Sequence, residues 1–167
     1  MEAGITNLKI NISKCTACHA CELACSFAKE GFYAPTLSRI RIMQVHDGLN
    51  VPIVCVNCAN APCIPACPVG AVYRDRTVPV VRINEEDCIG CGDCIRACPF
   101  GAVDRPPEKD VAIMCDLCGG EPACVSSCIY GALSFQQGAG MSIAEVKRWA
   151  TAKVIAARSH GEGGGAL

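Results

Sequence analysis

The chain has 167 residues, 15 basic and 16 acidic side chains for a formal net charge of −1, and 16 cysteines against only 5% aromatics. A charge this balanced excludes the basic face of a nucleic-acid binder, and no run reaches the roughly 18 apolar residues of a transmembrane helix. So few aromatic rings leave a thin hydrocarbon core, which requires disulfides, zinc or iron–sulfur clusters as staples.

Residues 1–7 carry no basic segment, no apolar run and no twin arginine, so no export signal is expected. In a reducing cytoplasm the cysteines do not pair as disulfides. Leu8, Ile10 and Ile12 alternate with polar residues and predict a short strand. A first cysteine group follows: Cys15, Cys18, Cys21 and Cys25. Its last part, residues 21–28, is helical in composition, so Cys21 and Cys25 share one face a turn apart. His19 stands between two cysteines and reads as a solvated loop histidine. Residues 39–45 alternate, 46–50 carry turn chemistry around Asp47-Gly48, and 51–56 are apolar. A β-hairpin insert over about 37–54, covering one face, is expected.

The second group is Cys55, Cys58, Cys63 and Cys67, with a longer gap that contains Pro62. Residues 78–83 read as a strand that Pro79 demotes to an edge or a strand start. The third group is Cys88, Cys91, Cys94 and Cys98, closed by Pro99, and the fourth is Cys115, Cys118, Cys124 and Cys128. Cys67, Cys98 and Cys128 recur at near-equal spacing, each followed two residues on by Gly-Ala. Repetition of this kind implies one structural unit used several times: strand, cysteine loop, short helix, return strand. After residue 140, Ser142 and Glu145 form a capping box for a helix with Ile143, Val146, Ala150 and Val154 on one face. A disordered tail is expected over 161–167.

The compact spacing of the first and third groups wraps one metal cube and sends the fourth sulfur to a neighbouring one, as in bacterial ferredoxins. Structural zinc needs two separated pairs for one ion, and four groups of four leave no cysteine over. Four 4Fe–4S clusters are therefore expected. Spacing shows that the groups exchange their last cysteines, not which with which. The second and third share the Cys-Pro ending and are the natural adjacent pair, leaving the first and fourth to each other.

Four groups in this order, with longer gaps in the second and fourth, resemble the iron–sulfur subunits of molybdopterin oxidoreductase complexes. Dimethyl sulfoxide reductase, formate dehydrogenase and formate hydrogenlyase have such subunits. The resemblance covers about residues 8–135. It implies one cluster on Cys15, Cys18, Cys21 and Cys128 and a second on Cys25, Cys115, Cys118 and Cys124. It implies a third on Cys55, Cys58, Cys63 and Cys98 and a fourth on Cys67, Cys88, Cys91 and Cys94. The short chain with a terminal helix is also similar to the small electron-transfer subunit of tungsten aldehyde oxidoreductase complexes.

The expected fold is α+β, with two nested bacterial-ferredoxin-like modules in residues 1–137. The inner module spans about 51–107, the outer about 5–30 with 108–137, and a docking helix follows at 141–160. The expected function is cytoplasmic, non-catalytic electron relay between a molybdenum or tungsten pterin subunit and a second redox partner such as a flavin/NAD subunit. A free soluble polyferredoxin is the alternative, and self-association into a filament through the terminal helix is a further expectation. No phosphate loop, dinucleotide fingerprint or nucleophilic triad points to catalysis in the chain itself.

Overall fold

The computed structural model describes residues 6–45, 49–78 and 80–137. The turn at 46–48, the helix expected over 141–160 and the tail over 161–167 lie outside the described residues. Strand β1 (Thr6–Ile10) leads into the first group, whose helix α1 spans Ala20–Glu30. A hairpin follows, β2 (Ile40–Val45) with β3 (Leu49–Val54). Next come β4 (Val72–Arg74), β5 (Val81–Ile83), α2 (Asp93–Ala97) and β6 (Val103–Asp104). The chain closes with β7 (Ile113–Met114), α3 (Ala123–Ser126) and β8 (Leu133–Gln137).

The strands form four separate antiparallel pairs: β1 with β8, β2 with β3, β4 with β5, and β6 with β7. In the first of these Leu8 faces Phe135 and Ile10 faces Leu133, so the two ends of the described chain meet. Strands this short cannot build a continuous sheet, and their buried side chains pack against cysteines instead. One core cluster joins Leu8, Ile40, Val54, Val80, Leu117 and Leu133 to Cys21, Cys25, Cys115 and Cys124. A second joins Val72, Val81, Val103 and Met114 to Cys58, Cys63 and Cys94. Among the described residues no helix is long and apolar enough to cross a membrane.

Three sequence expectations are corrected locally. Ile12 is not in the first strand; Asn11 caps a 3₁₀ turn there, its side chain accepting from the Ser13 N–H. The predicted strand over 78–83 is confined to Val81–Ile83. The repeat unit also lacks its helix in the second group. Residues 62–66 form turns, bridged by Ile64 N–H to Ala61 and Cys67 N–H to Ile64. Pro65 has no N–H to donate there, which prevents a helical ladder.

The expected cover, the hairpin, is tied on two sides. Arg41 forms an ion pair with Asp104 and donates to the Gly101 carbonyl at 2.8 Å. Asn50 donates to the Cys15 carbonyl at 3.3 Å. Helix α1 is held by Lys29 on Asp116 at 2.6 Å and by Glu30, which meets Arg39 at 2.5 Å and Lys109 at 3.1 Å. Burial pushes the Glu30 carboxyl up, but hydrogen bonds and charge from Arg39 and Lys109 outweigh it and hold it below the ordinary value.

Ile40 is 1% exposed, opens the hairpin's first strand and packs in the core cluster with Cys21 and Cys25 of α1. Ile40→Ala is expected to destabilise the folded chain by roughly 2–5 kcal/mol, read as a lowered melting temperature by circular dichroism. An unchanged melting temperature would show that the hairpin is not packed as described.

Candidate metal centres

The four cysteine loops share a backbone feature that spacing does not reveal. The residue immediately before the second cysteine is left-handed in every group: Ala17 (φ 54°), Asn57 (φ 46°), Gly90 (φ 66°) and Leu117 (φ 59°). For the three that are not glycine, this conformation costs on the order of 1–3 kcal/mol unless the surroundings enforce it. Its recurrence in all four loops indicates a common purpose. A left-handed residue within such a turn aims successive backbone N–H groups at one concavity, which suits an electron-rich ligand. At Gly90 a side chain is excluded outright, since a Cβ would lie 2.2 Å from the Asp110 carbonyl oxygen.

The Gly-Ala repeat has a similar purpose. Gly131 takes a positive φ of 62°, its N–H meets the Cys128 carbonyl at 3.0 Å, and the next N–H, of Ala132, donates to Cys128 Sγ at 3.2 Å. Cys98 repeats this, with Ala102 N–H on its Sγ at 3.4 Å. At Cys67 burial raises the thiol pKa, but backbone N–H groups of Val72, Val69, Ala71 and Gly70 outweigh it and hold it below the usual value. Cys25 has no Gly-Ala after it, and a distant segment substitutes: the Arg39 N–H reaches its Sγ at 3.3 Å.

The sulfurs gather in sets. Cys15, Cys18, Cys21 and Cys128 line one cavity, with Ile42 and Pro52 of the hairpin on its wall. Cys55, Cys58, Cys63 and Cys98 line a second, walled by Phe100 and Val103. Cys124 lies near Cys25 and Cys118, and also near Cys21 of the first set, and Cys115 lies near Cys124 and Cys25. Cys94 feels Cys88 and Cys91. Cys67 packs with Cys88 against the core cluster that contains Cys94. Between sets, Cys115 also lies near Cys55. Cys18 and Cys91 are exposed.

Burial dominates the chemistry of these thiols. It pushes Cys21 up to about 12, aided by the neighbouring Glu22 charge, and Cys55 and Cys124 also up to about 12. Cys63 rises to about 11, and Cys58, Cys94 and Cys115 rise too. These thiols are protonated at neutral pH, and a metal group entering the cage must displace their protons. Among the described residues no three His, Cys, Asp or Glu side chains converge as for a single ion. Sulfurs standing around apolar cavities, with backbone N–H groups aimed at them, fit the larger iron–sulfur cube.

Sequence reasoning missed several neighbours. His19 is exposed, as expected of a loop histidine, but it takes the N-cap position of α1 in the left-handed conformation with Nδ1 2.7 Å from Glu22. Glu22 is buried on α1 and also accepts the Ile42 N–H at 2.6 Å. Its position after Cys21 gave no signal, because its partner comes from the hairpin. Arg74 donates to the Cys58 carbonyl at 2.5 Å. A cleft of about 320 Å³ is lined by no cysteine and is bordered by the ion pairs of Lys29, Glu30, Arg39 and Lys109.

A 4Fe–4S dicluster domain model matches residues 46–138, and a 4Fe–4S binding domain model matches residues 12–28. The chain is 47% identical over 119 residues to the polyferredoxin-like subunit of an aliphatic sulfonate oxidoreductase from Pyrococcus furiosus, covering 71% of this chain and 69% of that one. It is 34% identical to the thiosulfate reductase electron transfer subunit of Salmonella typhi, covering 85% and 79%. Among solved structures it resembles a chain of the active site complex BamBC of benzoyl coenzyme A reductase with benzoyl-CoA. That match has a TM-score of 0.50 and 26% identity and covers 91% of each chain.

Two outcomes follow from the cages. Loading the metal-free chain in weakly buffered solution near neutral pH is expected to acidify it, since thiols near 11–12 must give up protons; a pH-stat reading of no release would contradict this. Gly90→Ala is expected to impair filling of the third loop, seen as less bound iron per chain than in the parent protein.

Proposed function

The chain belongs to the 4Fe–4S dicluster family, and on that premise we propose that it is the electron-relay subunit of an oxidoreductase complex, holding four 4Fe–4S clusters. The observation that carries this reading is that Cys128 closes the cavity of Cys15, Cys18 and Cys21, while Cys98 closes that of Cys55, Cys58 and Cys63. By the same logic Cys25 serves Cys115, Cys118 and Cys124, and Cys67 serves Cys88, Cys91 and Cys94. A 4Fe–4S cluster supplies one-electron redox chemistry at a potential set by its hydrogen bonds, charge and solvent exposure.

The protein's own groups hold, tune and shield. Thiolates bind, backbone N–H groups of Ala102, Ala132 and Arg39 stabilise charge on the sulfurs, and the apolar walls exclude water. The pairing of β1 with β8 supports an outer module of about 5–30 with 108–137 wrapped around an inner one of about 51–107. Catalysis then belongs to partner subunits. A molybdenum or tungsten pterin subunit and a second redox subunit, such as a flavin/NAD chain, are the proposed partners, in the cytoplasm. The relatives named above as electron-transfer and polyferredoxin-like subunits of oxidoreductases support this assignment.

Two experiments test the reading. In the anaerobically prepared protein, Cys98→Ser is expected to remove the same electron paramagnetic resonance signal as Cys63→Ser, while Cys94→Ser removes a different one. If Cys98→Ser instead shares its loss with Cys94→Ser, the exchange of ligands is wrong. In the native complex, removing this chain is expected to leave dye-linked substrate oxidation intact and abolish transfer to the second redox subunit. Persistence of that transfer would overturn the relay.

A further inference from the structure

Helix α1 buries one face, with Cys21, Glu22, Cys25 and Ser26, and presents the other to solvent. On the open face stand Leu23 and, one turn on, Phe27, which is 49% exposed. The segment after the helix extends this face. Gly31 ends α1 at φ 79°, its N–H meeting the Phe27 carbonyl at 2.9 Å, and the exposed Phe32 and Tyr33 follow. Tyr33 is 67% exposed, yet its ring stacks on that of Phe27 with centroids 4.9 Å apart. The turn is pinned to the helix through the buried Ser26. Its hydroxyl accepts the Ala34 N–H at 3.2 Å and donates to the Leu23 carbonyl at 3.0 Å. Leu23, Phe27 and Tyr33 therefore form a fixed apolar strip held open to water, which is how a docking surface looks.

The chain itself supplies an occupant. Strand β8 ends at Gln137, and residues 138–167 follow it. Phe135 packs against the core cluster that holds Cys21 and Cys25 of α1, and β8 and α1 both contact α3. The chain thus leaves the described residues on the same side of the core as α1. Residues 138–141 can span about 14 Å when extended. A helix over 142–159 is about 27 Å long, ample to cover α1 and the turn after it. In the sequence its apolar positions include the row Val146, Ala150 and Val154. That row and the Leu23–Phe27 pair are both spaced four residues apart, the ridges that interdigitate between packed helices, and the small Ala150 leaves a notch for a ring.

We propose that residues 142–159 form a helix that folds back within the same chain and packs its Val146, Ala150 and Val154 row on the Leu23, Phe27 and Tyr33 strip of α1. The helix that carries Cys21 and Cys25 is then held from both sides, by the core and by the tail. This contact goes beyond the relay reading and does not rest on it.

Trp149 is the chain's single tryptophan and flanks the proposed row, so its fluorescence reads the contact. In the full-length chain, handled anaerobically, acrylamide is expected to quench it several-fold less than in urea, at dilutions where light scattering gives a monomer. Val146→Lys with Val154→Lys removes the apolar row without touching α1, and Phe27→Ala with Tyr33→Ala removes the strip. Either pair is expected to raise the quenching to the level seen in urea, with the circular dichroism of a folded chain. Hydroxyl-radical footprinting is expected to oxidise Phe27 and Tyr33 several-fold faster in the tail variant than in the parent. That readout needs no change in α1, so it decides even where the Phe27 and Tyr33 variant does not fold. Trp149 as open in the parent as in urea, or equal oxidation of Phe27 and Tyr33 in parent and tail variant, would overturn the proposal. Protection that vanishes as a dimer dissociates on dilution would also overturn it and give the strip to a second copy.

Discussion

Two apolar cavities in this fold are each lined by the three cysteines of one loop and by a sulfur that arrives from elsewhere in the chain. Cys128 reaches the cavity built by residues 15–21, and Cys98 reaches the one built by residues 55–63. The rest of the architecture follows from these long-range closures. The pairing of β1 with β8, the packing of α1 on α3 and the ties from Arg41 to Asp104 and Gly101 hold in register the segments that must bring sulfurs together. Short strands suffice because they position loops and do not have to enclose a large hydrocarbon core.

The same arrangement makes the metal-free state a compromise. Buried thiols take the place of aliphatic side chains in both core clusters. Their raised pKa values keep them neutral and tolerable without metal, while thiolate ligation recruits the same atoms as donors. Binding energy in such a protein is also folding energy. The left-handed loop residues show the balance: the same conformational cost recurs at Ala17, Asn57 and Leu117, in the loops that carry the cysteines.

Much of this was legible in the sequence for a simple reason. Cysteine spacing and the Gly-Ala repeat are local patterns, and local patterns encode loop geometry directly. The hairpin over residues 40–54 could be read the same way, from alternation alone. What escaped reading depends on distant partners. The Arg39 N–H on Cys25, the Glu22 carboxylate under the hairpin and the Arg74 guanidinium on the Cys58 carbonyl link segments far apart in sequence. Pro65, which removes a donor before Cys67, is the local feature that sets the second group apart from the repeat. The likeness of Asn57 and Leu117 to ordinary loop residues hid their positive φ, which only the repeat of four loops makes intelligible.

The central claim is that the last cysteine of each group serves another group's cluster. Iron-edge anomalous diffraction from crystals of the anaerobically loaded chain tests it directly. The account predicts four iron-rich centres, with Cys98 Sγ on the one held by Cys55, Cys58 and Cys63. A map placing Cys98 on the centre held by Cys88, Cys91 and Cys94 would contradict it.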